Sequence, residues 1–173
     1  MDFYTKNHFI NGELCIVELL DILGQDIYSN FRAEFYPRAD GFIFCFDVMS
    51  PSSFHNLRTK FVPEIQRLSP GAPFILVGTK SDIYEKLATG DLGLGVARTV
   101  GALTYMECSA LTNHGVRNVF EEVKFYFYLI SLLNGIAFYS GILLRERENQ
   151  RDEGWDPGFR VFLGHVFRMS WRC

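Results

Sequence analysis

An α/β fold is predicted, with a mostly parallel sheet and an antiparallel hairpin at its N-terminal end, and three observations predict it. Residues 8–21, "HFINGELCIVELLD", read as two strands around Asn11-Gly12. That pair suits a two-residue hairpin, because both turn positions need positive φ. Residues 40–48 ("DGFIFCFDV") and 73–78 ("PFILVG") are unbroken apolar runs bounded by turn residues, the pattern of parallel strands buried on both faces. Helical patterns separate these runs, as parallel strands joined by crossovers require.

The other elements follow in chain order. "SPSSFHNLRTKFVPEIQRL" (50–68) opens with Ser50 as a cap and Pro51 in the first helical turn, and Pro63 predicts a kink or break inside it. "LTYMECS" (103–109) is a third short strand. "GVRNVFEEV" starts a helix with Val116, Val119, Phe120, Val123, Phe127 and Ile130 on one face. The glycine-rich "GDLGLG" (90–95) reads as a loop.

Residues 125–144, "FYFYLISLLNGIAFYSGILL", are 20 residues without a charge and support two readings. They are long enough to span a bilayer. Alternatively the last helix ends near residue 133, with Asn134-Gly135 as its C-terminal cap. Residues 145–158 read as a polar linker. In 159–173, "FRVFLGHVFRMSWRC", Arg160, Arg168 and Arg172 are spaced by multiples of four among Phe159, Phe162, Leu163, Val166 and Phe167. As a helix this segment would lie on an anionic membrane surface; otherwise it is a packed or poorly ordered tail. The expected domains are therefore 1–133 and an extension over 134–173.

Composition narrows the function classes. With 48% hydrophobic residues, 17 Phe and 8 Tyr, the chain can bury a core and is not a disordered segment. A net charge of −3 argues against nucleic acid as a partner. The four cysteines, Cys15, Cys45, Cys108 and Cys173, form no metal-ligand spacing. Three of them lie in apolar runs, as in a reducing compartment. The start "MDFYTKNHF" has no secretory pattern, so a cytoplasmic location, or one peripheral to a membrane through 125–144 or 159–173, is expected.

Three strings carry the chemistry: "DILGQ" (21–25), "VGTKSD" (77–82) and "ECSALT" (107–112). Each is short and weak alone, but each follows a predicted strand, where open α/β sheets bind ligands. In this order they resemble the Rho family of small GTPases, and within it the Rac-like branch. The stretches "SPSSFHNLRTKFVPEI", "GAPFILVGTKSD" and "GALTYMECSALTNHGVRNVFEE" extend the resemblance over about residues 1–133. It implies GTP/GDP as ligand and protein effectors and regulators of Rho-type GTPases as partners in signal transduction. It also implies an incomplete P-loop NTPase fold, because the family's first strand and first helix have no counterpart here.

The resemblance assigns roles residue by residue. Asp82 would accept hydrogen bonds from guanine N1–H and the 2-amino group, a donor pair that adenine lacks. Lys80 would lay its stem along base and ribose, and Thr79 would brace the loop. Ser109, Ala110 and Leu111 would complete the base pocket, with the Ala110 N–H directed at O6. Asp21 would hold Mg2+ through water when nucleotide binds. Gly24 would offer its N–H to the γ-phosphate, and Gln25 would orient the attacking water. Leu23 stands where the family has alanine and adds bulk beside that phosphate.

The phosphate loop G-x-x-x-x-G-K-[ST] is not present in the sequence, and "GDLGLG" matches neither it nor G-x-G-x-x-G. Against the resemblance this predicts an N-terminally truncated member whose strands before Asp21 and before Asp47 have lost their shared neighbour. It also predicts impaired nucleotide binding and no hydrolysis. The helical insert of Rho proteins has no room between Asp82 and Gly101. Prenylation is not expected, because position 170, four from the end of this sequence, is Ser. The competing readings are a pseudo-GTPase interaction module and a truncated product of a complete Rho GTPase.

Overall fold

The computed structural model describes residues 2–10, 13–22, 24–84, 90–131 and 166–172. The hairpin is formed by β1 (Asp2–Ile10) and β2 (Glu13–Ile22). Its register, from Asp2 opposite Asp21 to Ile10 opposite Glu13, leaves residues 11–12 as the connection. A 3-10 turn (Asp26–Tyr28) leads into α1 (Ser29–Phe35), followed by β3 (Gly41–Asp47).

Next come α2 (Pro51–Asn56) and α3 (Val62–Leu68), joined by a π turn at Leu57–Phe61. Ser50 caps α2, its hydroxyl oxygen accepting the Ser53 N–H at 3.3 Å. Pro63 cannot donate to the preceding turn, and the widened π turn lets the chain continue past it instead of breaking off. Then follow β4 (Phe74–Thr79), α4 (Gly90–Val100), β5 (Tyr105–Cys108), α5 (Val116–Ser131) and β6 (Val166–Arg172).

Among the described residues, one sheet holds six strands in the order β1-β2-β6-β3-β4-β5. β3, β4 and β5 are parallel neighbours, as the apolar runs predict. Period-two alternation divides their side chains between two cores. Leu20, Ile22, Phe42, Phe44, Phe46, Phe74 and Leu76 pack with residues of α3 and α4. Val17, Leu19, Ile43, Cys45, Ile75 and Val77 pack with Val119, Phe120 and Val123 of α5. The predicted α5 face is thus buried at three of its six positions, with Val116 partly buried; the side chains of Phe127 and Ile130 lie outside the description.

Two expectations are corrected. "GDLGLG" is not a loop: α4 begins at Gly90 and includes it. A Cβ on Gly93 would lie 1.9 Å from a ring carbon of Tyr105, so the missing side chain lets α4 press onto β5. Burial of Ala97 and Val100 anchors the helix against the low propensity of its glycines.

The C-terminal segment is the second correction. Residues 166–172 are neither helical nor a loose tail but form β6, antiparallel to both β2 and β3. Met169 stands opposite Leu19 on one side and Gly41 on the other. The two strands expected to lack a shared neighbour therefore have one, and both inner edges are hydrogen-bonded. Its sequence, "VFRMSWR", alternates apolar and polar residues after Val166, which suits a strand as well as its arginine spacing suits a helix.

Among the described residues, no helix is long and apolar enough to cross a membrane. Residues 132–144, the larger part of the uncharged stretch, lie outside the described residues, as do 145–165 and Leu23.

Candidate functional site

Because β6 is antiparallel to both its neighbours, β2 runs in the same direction as β3, β4 and β5. Their C-terminal ends form one edge, and all the residues singled out in sequence follow or end these strands.

On the β4–β5 side the loops are tied together. Thr79 is buried, and its hydroxyl donates to the Phe46 carbonyl at 3.0 Å, while the Val48 N–H donates to the Thr79 carbonyl at 3.2 Å. The next residue, Lys80, takes φ +62°, a left-handed conformation that turns the chain sharply off the strand. Its ammonium meets Asp47 Oδ2 at 3.0 Å. Asp47 is fixed in turn: Oδ1 accepts the Met49 N–H at 2.8 Å, and its own N–H donates to Ser53 Oγ at 3.1 Å.

Asp82 lies in a 3-10 turn, Ser81–Tyr84, and accepts a hydrogen bond on Oδ1 from the Ser109 hydroxyl. Ser109 is fully buried. Its Oγ accepts the Thr112 N–H at 3.2 Å, and its N–H donates to the His114 carbonyl at 2.9 Å. The loop closes at Gly115, with φ +72°, where a Cβ would come within 2.4 Å of the Glu107 carbonyl oxygen. Glycine is required there on both counts. Thus Asp82 and Ser109, far apart in sequence, are brought into contact, with the Asp82 carboxylate anchored and still holding free acceptor capacity. Ala110 and Leu111 are exposed, Leu111 at 85%, so their side chains line no enclosed pocket here.

The β2 side is built differently. Asp21 is 6% exposed and stands opposite Phe167, which in turn stands opposite Ile43. Asp21 is therefore level with Ile43, four residues short of Asp47, or about 13 Å back along the strand direction. The registry does not bring Asp21 up to the level of the Lys80 and Asp82 loop. Asp21 instead adds, after burial and Cys108, to the causes that push the Cys45 thiol well above its ordinary range. Burial also pushes the Cys108 thiol up to about 11. Both sulfurs are buried, and burial disfavours the thiolate form that a nucleophile needs.

Gly24 and Gln25 are held through their carbonyl oxygens. The Lys60 ammonium donates to Gly24 O at 2.8 Å and also pairs with Asp26. Arg32 Nη1 donates to Gln25 O at 2.8 Å. Arg32 is completely buried and meets Glu64 in a two-point bond, Nε to Oε1 at 3.0 Å and Nη2 to Oε2 at 3.2 Å. The hydrogen bond and charge of Lys60 hold the Asp26 carboxyl below its usual range. The Gln25 side chain is exposed.

Sequence reasoning missed Asp47, Lys60, Arg32 and Glu64. A signal for Asp47 was present, since it closes the apolar run "FIFCF" as Asp21 closes "IVELL". The other three act through contacts 7 to 36 residues away, for which no local pattern exists.

Comparison with known families gives one finding. The model of a family described as the Ras family matches residues 1–126, most of the chain.

Proposed function

Starting from the chain's membership of the Ras family of small GTPases, we propose a Rho-type member of the Rac-like branch that keeps the guanine half of the nucleotide site and not the phosphate half. Ras-family domains bind GTP and GDP and engage effectors and regulators. The Rho assignment rests on the stretch "SPSSFHNLRTKFVPEI" and the strings around Lys80 and Ser109. Residues 1–133 form the GTPase-type unit in this reading, and 134–173 form an extension that returns β6 to its sheet.

The observation that carries the reading is the contrast between the two ends of the site. At the guanine end, Asp82 is anchored by Ser109 and offers a carboxylate to a paired N–H donor, which the edge of guanine supplies. A carboxylate's pair of acceptors suits that edge. At the phosphate end the fit fails. The position between β2 and β3 is filled by a strand running away from the edge, and the 173 residues hold no G-x-x-x-x-G-K-[ST] string. Asp21 stands below the level of the base loop, so no magnesium-assisted step is derived from it.

Each charge-assisted bond that a phosphate loop supplies is worth roughly 1.5–3 kcal/mol, and every 1.4 kcal/mol is about tenfold in affinity. Without several of them, guanine contacts alone give weak binding. Titration of the full chain with a fluorescent GTP analogue and Mg2+ tests this. The expected result is no saturation in the micromolar range and no phosphate release. Magnesium-dependent binding below micromolar concentration would overturn it.

A second reading, an interaction module that engages Rho-type effectors or regulators without nucleotide, is favoured by one observation. Lys60 and Arg32 already hold the carbonyls of Gly24 and Gln25, so the segment that would answer to a phosphate is fixed by the protein itself. Binding of such a partner that is indifferent to added GTP or GDP supports this reading; dependence on nucleotide removes it.

A further inference from the structure

We infer that Asp47 is a positioning residue for Lys80 and sets the charge preference of the candidate guanine site, which fits an uncharged guanine nucleoside better than a polyphosphate. The inference rests on the guanine-site reading above. Lys80 and Asp82 are two residues apart but are tied in opposite directions across the end of β4. The Lys80 ammonium reaches back to Asp47 at the end of β3, and the Asp82 carboxylate reaches forward to Ser109 beyond β5. Both residues directly follow the end of β4.

Asp47 is built to hold this arrangement. Its side chain is 13% exposed against 40% for Lys80, so the carboxylate is the fixed partner and the lysine the one being placed. One carboxylate oxygen takes the Met49 N–H at 2.8 Å, and Ser53 Oγ takes the Asp47 N–H at 3.1 Å. Ser53 is itself bonded to the Ser50 cap at the start of α2. Movement of Asp47 would disturb that helix start, so Lys80 has one place to go. Lys80 itself takes a left-handed backbone conformation, φ +62°.

The electrostatic consequence follows. Among the described residues at this edge, the Lys80 ammonium is already paired with Asp47, and Asp82 is anchored close by through Ser109. A polyphosphate brings further negative charge to two acidic residues, Asp47 and Asp82, flanked by a lysine already engaged by one of them. A guanine nucleoside asks only for the two acceptors of Asp82 and an apolar stem over its ring.

The test is a set of titrations of the full chain with guanosine, GMP, GTP and adenosine, followed by the 13Cε signal of Lys80. The wild type is expected to bind guanosine at least as tightly as GTP, with the affinity for GTP rising as salt screens repulsion and that for guanosine unchanged. Asp47→Asn is expected to shift the preference toward GTP roughly threefold and to move the Lys80 signal, and Asp47→Glu to restore both. GTP binding more tightly than guanosine in the wild type, or a ratio unmoved by Asp47→Asn, overturns the inference. The salt dependence in the wild type decides the matter if the asparagine variant does not fold. Adenosine matching guanosine instead removes the guanine-site reading. No response to guanosine removes both, and the Lys80 signal then reports a pair that is structural only.

Discussion

On the β4–β5 side of the strand-end edge, the loops are stitched by partners on adjoining strands and loops: Thr79 to Phe46, Lys80 to Asp47, Asp82 to Ser109. On the β2–β3 side, the sheet is joined by a strand from the far end of the chain, with Met169 bridging Leu19 and Gly41. The first side can keep the geometry of a base-binding site through loops attached to neighbouring parallel strands. The second depends on a returning segment whose direction is opposite to its neighbours. The proposed guanine end lies on the first side and the proposed phosphate end on the second.

The comparison breaks most directly at β6. Met169→Pro removes a ladder hydrogen bond from a strand paired on both sides. It is expected to cost on the order of 3 kcal/mol in chemical denaturation. Lys6→Pro, on the edge strand β1, is expected to cost less than half as much, because β1 pairs only with β2. Equal effects would mean that β6 is not an interior strand.

That prediction also marks where the sequence was readable. β3 and β4 announce themselves as apolar runs with turn residues at both ends, and the hairpin by Asn11-Gly12, because the physics that fixes them is local. "TKSD" and "ECSAL" were legible for the same reason: each directly follows a strand. β6 was not, because the case for it lies in two open strand edges distant in sequence, and its alternation competes with a helical arginine spacing. The start of α4 was hidden by its glycines, whose low helix propensity is offset by contact between Gly93 and Tyr105. Lys80 was named from sequence, but its pairing with Asp47 was not readable, since no pattern encodes a bond spanning 33 residues.

The stitched side is sharpened by Ser109→Ala. Ser109 is completely buried, and its hydroxyl both donates to Asp82 and accepts the Thr112 N–H. Removing it leaves a backbone donor and a carboxylate oxygen without this partner, a cost of about 1–3 kcal/mol. The loss is expected to be local: faster hydrogen exchange at Thr112 and weaker guanosine binding, with the β2–β6–β3 ladder unchanged. Spread of the exchange effect into β6 would mean that the two sides are coupled rather than separately built.

The smallest effect concerns Asp26, and its value lies in separating charge from geometry in the "DILGQ" segment. Lys60 holds two partners there, the exposed Asp26 carboxylate and the Gly24 carbonyl. The Asp26 carboxyl is held below its ordinary range by Lys60, so this pair adds stability above the ordinary carboxylate range, and that stability is lost as pH falls through the lowered value. Asp26→Asn should therefore lower stability slightly at neutral pH and match the wild type in acid. The Gly24 bond survives the substitution, because a carbonyl does not titrate. If the two proteins differ equally at both pH values, the segment is held by geometry alone; if Asp26→Asn frees Gly24 as well, measured by exchange at the neighbouring amides, the ion pair is what keeps Lys60 in place.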